Sequence, residues 1–528
     1  MRRWVGWTLV LGAVAGLIVL GSLWRKEPRI EPIEPSALAK LSERERVEWL
    51  VRQILARSHS KTIEWRILNL LGYGWTRSDY ELDIAAIATL SEACRKYDLD
   101  RWMRRLPAYV MSDSFQSMLL MHQAIWHLER DELRSAEAII RRIPQGEERE
   151  TALAFFAAAQ ARRGDRAGAQ RTLKQLPAGF MMSFHLQRQR ALEALLQAGL
   201  LEEGARLCIE ASLPALESID APRSVLDAYR RAGRWGDTLN WARQLPPAWR
   251  EFALIEWAAH AFQQGDPDPT RHLNAQEQTP ALLLRLAHIA QARNRPQPAR
   301  RWRTAALQRL KNLPVSKRDF LFHSAAIELA RMGDYERAES LIKQIKPGDS
   351  LRSWAARQAA YSALEQGNLN HAQRFASLID AQNIRIRVYA HIAARHYRAG
   401  ERQIAQRLID RLVQQMQPQR HTGLVNYAVE MTHGICLPAI EQDAYPLVQP
   451  LLRQLEEEVA RASSADARKF MLNGVLNCYT EAGDLERAFH LAAQQRTRKE
   501  QAEALLSILR VYAWEPEWTD RLPQSLQF

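Results

Sequence analysis

Apolar residues recur at helical spacing along nearly the whole chain, and no run alternates apolar and polar long enough to suggest a strand. The pattern breaks repeatedly, most clearly across Ala330-Arg331-Met332-Gly333-Asp334-Tyr335-Glu336-Arg337-Ala338. This stretch reads as the end of one helix, a tight turn and the start of the next. Gly333 suits the positive φ that ends a helix, and Asp334 suits the N-cap of the helix that follows. Ala338, five residues past the glycine, is small enough to let the second helix lie close against the first. The same phrase returns at Gly164 with Ala169, Gly367 with Ala372, Gly400 with Ala405 and Gly483 with Ala488. Gly199, with Ala205 one residue late, is a looser copy.

Taking the turn residue as reference places equivalents at Tyr97, Asp131, Gly164, Gly199, Gly233, Gly265, Asn294, Gly333, Gly367, Gly400, about Gln442 and Gly483. The steps are 34, 33, 35, 34, 32, 29, 39, 34, 33, 42 and 41 residues. Most lie close to two short helices plus two turns, the unit of a helical-hairpin array. A proline thirteen positions after the reference ends the second helix in Ile143-Pro144, Leu176-Pro177 and Leu245-Pro246. A small residue sits seven positions before the glycine at Ala157, Ala258, Ala326, Ala360 and Ala393.

With these landmarks the chain resembles the tetratricopeptide repeat family over roughly Glu81 to Arg510. The small residue, the Gly-Asp turn and the alanine five later carry the resemblance. The family's early tryptophan and Leu-Gly pair are absent, and the proline comes about four residues early. The resemblance implies an α-solenoid of about twelve hairpins, binding peptides or protein surfaces along a concave face of first helices.

Ahead of the repeats, Met1-Arg2-Arg3 precedes an apolar run from Trp4 to Leu23, closed by Trp24-Arg25-Lys26. Trp4 to Trp24 as a helix spans roughly 31 Å, matching a hydrocarbon core of about 30 Å. Tryptophans near both ends suit the membrane interfaces. The segment 1–26 is therefore read as a single transmembrane anchor, with a cleaved signal peptide as the rival reading. The basic residues on either side conflict, and the reading places the N-terminus in the cytoplasm and the body on the exported side. Residues 27–36, with three prolines, read as a semi-rigid spacer. Residues 37–80 read as N-terminal capping helices, 81–493 as the repeats, 494–514 as a C-terminal capping helix and 515–528 as a tail.

Composition changes this picture little. With 47% hydrophobic and 25% charged residues the chain is globular in content. Its net charge of +13, from 73 Lys+Arg against 60 Asp+Glu, is modest for an elongated array and does not demonstrate nucleic-acid binding. Four scattered cysteines, Cys94, Cys208, Cys436 and Cys478, form no CxxC pair and read as buried thiols.

No catalytic constellation emerges. Gly348-Asp349-Ser350-Leu351 spells a hydrolase nucleophile block, but no Asp-x-x-His accompanies it, and its place after Lys346-Pro347 suits an interhelical turn. His122/His127 and His391/His396 are five apart, roughly 140° around a helix, so neither pair shares a metal face. No cofactor, metal or small-molecule substrate is expected, and the chain reads as no enzyme. The expected function is a membrane-anchored scaffold presenting a groove to a protein or peptide partner. A nucleic-acid-binding solenoid and, behind it, a cell-envelope enzyme are the alternatives; no nucleic acid is expected, because the polar faces do not repeat from unit to unit.

The groove-facing positions of a first helix lie thirteen, ten, six, three and two residues before the turn. In the units at Gly333, Gly367 and Gly400 these positions hold Phe320, Arg331, Trp354, Arg357, Tyr361, Arg387, Tyr397 and Arg398. Arginine forks beside aromatic plates suit an extended acidic peptide or its terminal carboxylate.

Overall fold

The computed structural model describes residues 30–58, 82–110, 113–177, 180, 186–210, 220–313, 315–462 and 464–513. The predicted anchor Trp4–Trp24, the later part of the predicted N-terminal cap and the tail lie outside these residues. Among the described residues every regular element is a helix, and none is long and apolar enough to cross a membrane. The helices form two compact units, one running from His127 to Gln454 and the other combining the chain before and after it.

Hairpins repeat as the turn residues foretell. Asp131, Gly164, Gly199, Gly233, Gly265, Asn294, Gly333, Gly367, Gly400 and Gly483 all have φ between 54° and 105°. The other two turns fall one residue later than read, at Asp98 and Asp443, with φ of 53° and 57°. Aspartate and asparagine tolerate this region because their short side chains hydrogen-bond locally. In each hairpin the helix before the turn residue is here termed A and the one after it B.

Small residues sit where the two helices cross. Ala169, Ala338, Ala372, Ala405 and Ala488 are fully buried, as are Ala157, Ala258, Ala326, Ala360 and Ala393. In the Gly199 hairpin the residue five past the turn is Gly204, not the late Ala205. A Cβ at Gly204 would lie 2.7 Å from Leu196 Cδ2 of its own A helix. That copy is therefore in register, with glycine in the alanine's place.

Variation in step length comes from the B helices. The long steps contain B helices Pro296–Lys311, Arg402–Thr422 and Tyr445–Arg461, against Arg166–Leu173 in a regular unit. The short step after Gly265 has no B α-helix; a 3₁₀ turn, Pro269–His272, stands in its place. Here Asp266-Pro267-Asp268-Pro269 denies the backbone two donors, and A helix Pro247–Gln263 packs directly on the next A helix, Pro280–Ala292. Before Asp443 the A helix runs Leu424–Val429, widens into a π turn at Glu430–Cys436 and closes with Leu437–Ile440. The wider turn lies where Pro438 removes a donor.

Capping departs from expectation at the reference hairpin. Asp165, Asn368 and Asp484 accept backbone N–H bonds from Gly168, His371 and Arg487. The Asp334 side chain makes no such bond. It pairs instead with Arg337 and with Arg303 from the preceding B helix, because two guanidinium groups outbid one amide.

The unit containing both chain ends has its own core. Helices Glu43–Ala56 and Ile84–Lys96 pack on the last described helix, Arg498–Ala513, and Pro35–Ala39 packs on Leu485–Ala493. Arg46 is buried, donating to the carbonyls of Leu38, Ala39 and Leu41 and to the Tyr512 hydroxyl at 2.9 Å. The Trp49 and Phe489 rings meet edge to face at 6.0 Å. The segments read as separate N- and C-terminal caps thus cover one another. The end of the proline-rich stretch is also held against this unit. Glu31 accepts from Trp49 Nε1 and pairs with Arg52, while its N–H donates to Gln53 and its carbonyl accepts from Arg57.

Candidate functional site on the A helices

The A helices Val315–Arg331, Ser350–Glu365 and Gln382–Arg398 pack side by side in succession. They carry all eight residues singled out from sequence, and the structure sorts these into three groups.

The first group is contiguous. The Phe320 ring lies 6.3 Å from the His323 ring, which meets Trp354 of the next A helix at 5.8 Å and 74°. The Arg357 guanidinium stands 5.2 Å from the centre of the Trp354 ring, a cation–π arrangement one helical turn along. Phe320, Trp354 and Arg357 are all half-buried. Among the described residues Arg357 makes no ion pair.

A second pair is packed inward. Tyr361 is buried, its ring edge to face with the buried His391 at 5.3 Å. The remaining residues are dispersed. Arg331 pairs with the buried Glu328 of its own helix, so its charge is already met. Arg387 is half-buried on the side of Glu430, whose carboxyl is pushed up by burial against the opposing pull of the Arg387 charge. Tyr397 lies 5.7 Å from the Arg402 guanidinium beyond its turn, and Arg398 is exposed.

Beside the first group lies a set of half-buried polar residues, around the buried Glu328, that periodicity did not single out. The Ser324 hydroxyl donates to Glu251 Oε2 at 3.1 Å. Burial pushes the Glu251 carboxyl up to about 7, against hydrogen bonds from Thr279 and Ser324 and with help from the Glu328 charge. Burial also drives His323 down to about 4, which keeps its ring neutral near pH 7. His288 is lowered by burial too, with Glu328 opposing and Arg285 and Arg331 adding to the fall. His323 occupies a groove-facing position ten before Gly333, so an A-helix histidine among apolar neighbours was the available signal. Glu251 offered none: a helix glutamate reads as solvated until its neighbours are known.

Glu251, Ser324 and His323 superficially suggest a hydrolytic triad, but the order is wrong. In a working triad histidine stands between the carboxylate and the serine. Here the serine stands between them, with His323 Nδ1 3.4 Å from its Oγ, and the histidine is too weak a base at neutral pH. Ser350 of the hydrolase-like phrase opens a helix whose cap is Asp349, accepting from the Leu351 N–H at 2.9 Å. Among the described residues no group of three or more His, Cys, Asp and Glu could hold a metal ion. All four cysteines are buried and none is in a disulfide among the described residues, and burial raises the thiols of Cys94 and Cys208.

Fold and surface together define an all-α protein of tandem helical hairpins. No family model and no curated protein matches the chain. A solved structure described as a "Circular tandem repeat protein with novel repeat topology and enhanced subunit contact surfaces" is 14% identical, over 84% of this chain and 88% of that one, with a TM-score of 0.14. A likeness that weak defines no shared geometry.

Proposed function

We propose that the chain is an interaction scaffold, a tetratricopeptide-like array that holds a segment of a partner protein along the A helices between Phe320 and Arg398. The observation that carries this reading is Arg357: a half-buried guanidinium stacked on Trp354, with no carboxylate to meet it among the described residues. Arg387 and the exposed Arg398 on the neighbouring A helix extend the positive charge, which favours acidic side chains on the partner. Phe320, Trp354 and Tyr397 offer ring edges to its apolar ones. Arg331 contributes less, being paired with Glu328. Residues 1–26 would tether the scaffold to a membrane, with its body on the exported side.

The test is capture of protein partners from detergent extracts by the full chain. Charge reversal at Arg357 and Arg387 together is expected to weaken capture at least about tenfold, or roughly 1.4 kcal/mol. Capture unchanged in a variant of normal helicity moves the site to another stretch. Bound RNA in place of protein would favour the nucleic-acid reading.

A further inference from the structure

Three buried nitrogens in the contiguous group have no hydrogen-bond partner among the described residues: His323 Nε2, Trp354 Nε1 and Arg357 Nε. Buried polar atoms in folded proteins are nearly always satisfied by protein or water, and these three lie together on one turn of two adjacent helices, within reach of a single segment. Their chemistry says which kind. The Ser324 hydroxyl gives its proton to Glu251 Oε2, so His323 Nδ1, 3.4 Å from the Ser324 Oγ, faces an acceptor. Since Nε2 is unpartnered, Nδ1 is the donor, and Nε2 keeps a bare lone pair. Trp354 Nε1 and Arg357 Nε can only donate. The set is therefore one acceptor beside two donors.

We propose that this cluster is a main-chain subsite, in which a peptide amide of the partner segment donates its N–H to His323 Nε2 while a neighbouring carbonyl accepts from Trp354 Nε1. It rests on the scaffold reading above and makes it specific. A carboxylate fits less well, because an anionic oxygen would face the His323 lone pair and lies on the side of the Glu251 carboxyl and the buried Glu328. Acidic side chains belong further out, on Arg387, Arg398 and the guanidinium end of Arg357. Arg357 covers the Trp354 ring and is held there by stacking, with no ion pair among the described residues, so it can swing aside to admit the chain. Extended peptides read this way are recognised by backbone first and by side chain second, as in other main-chain recognition modes.

The experiment follows the Trp354 indole N–H by nuclear magnetic resonance in the full chain labelled with ¹⁵N-tryptophan, with W354F identifying its signal among the sixteen tryptophans. The probes are N-acetylalanine N-methylamide and sodium acetate at equal concentration. The diamide should shift the Trp354 signal saturably and acetate should not. His323→Phe should abolish the shift, and Arg357→Ala should lower the half-saturating concentration by removing the cover. A shift from acetate alone, or a diamide shift that His323→Phe leaves intact, overturns the subsite. No shift with either probe, in the wild type and in Arg357→Ala, also overturns it and leaves the nitrogens to internal packing. Partner capture that survives both His323→Phe and W354F would overturn the subsite and leave the scaffold standing.

Discussion

Ser324 Oγ and Glu251 Oε2 lie 3.1 Å apart, although 73 residues of chain separate them. The bond joins the A helix of the Gly265 hairpin to that of the Gly333 hairpin and passes over the hairpin between them. In an array where each unit touches only its neighbours such a bond has no place. It occurs where the unit after Gly265 has a 3₁₀ turn, Pro269–His272, in place of a B α-helix.

Burial of the Glu251 carboxyl, which outweighs its bond from Ser324, gives stability a readable pH dependence. Glu251 has a folded value of about 7, raised from 4.5, so between those limits the folded state keeps a proton the unfolded state has lost. Stability therefore falls as pH rises through that window. His323 is lowered from 6.5 to about 4, so there the unfolded state binds the extra proton and stability falls as pH drops. The two slopes oppose one another between about pH 4.5 and 6.5. Glu251→Gln removes one of them, and unfolding free energies from urea titrations should then fall more steeply on acidification than in the wild type, by roughly 2–3 kcal/mol between pH 6.5 and 4.5. Parallel curves for the two proteins would show that the Glu251 carboxyl is not held protonated.

Gly333 has φ of 75°, and a Cβ there would meet only Gln366 Oε1 at an ordinary 3.5 Å. The cost of substitution is thus conformational and not steric. Gly333→Val should lose roughly 1–2 kcal/mol, whereas Gly333→Asn should lose under about 1 kcal/mol, as Asn294 adopts the same turn at φ 54°. Equal losses in denaturant titrations would place the penalty elsewhere.

Gly204 is governed by the opposite term. Alanine there gains about 1 kcal/mol of helix propensity but drives a Cβ into buried Leu196, an overpacking cost of about 1–3 kcal/mol. Gly204→Ala should be net destabilising by about 1 kcal/mol in the wild type and net stabilising in a Leu196→Ala background. A double-mutant cycle with no coupling would refute the contact.

Removing residues 496–528 strips the last described helix from Glu43–Ala56 and Ile84–Lys96. Amide exchange should then accelerate in those two early helices, more than four hundred residues away in sequence. Arg46→Ala should act in the same direction by about 3 kcal/mol or less, since it frees three carbonyls and the Tyr512 hydroxyl. Faster exchange confined to the hairpins just before the truncation would mean that the two ends do not share a core.

The hairpin register was legible because each turn needs one residue at positive φ, and such residues announce themselves singly as Gly, Asn or Asp. Buried alanines were legible for a related reason, since close helix crossing demands a small side chain at a fixed offset. Phe320, Trp354 and Arg357 could be placed on one surface by counting back from the turn. Their sorting could not. Arg331, two before its turn, and Arg357, ten before its own, both count as groove-facing, yet one meets Glu328 and the other meets no carboxylate among the described residues, and only side-chain packing decides between them.

What the chain's own order determined, then, is local: where helices stop, which positions must be small, and which offsets recur. These follow from backbone sterics and helical period, which act within a few residues. The tertiary structure decided what those helices meet. It set Arg498–Ala513 against Glu43–Ala56, diverted Asp334 from its cap to two arginines, and buried the Glu251 carboxyl beside Ser324. Each of these depends on desolvation and on partners distant in sequence, and neither is written in the period of a helix.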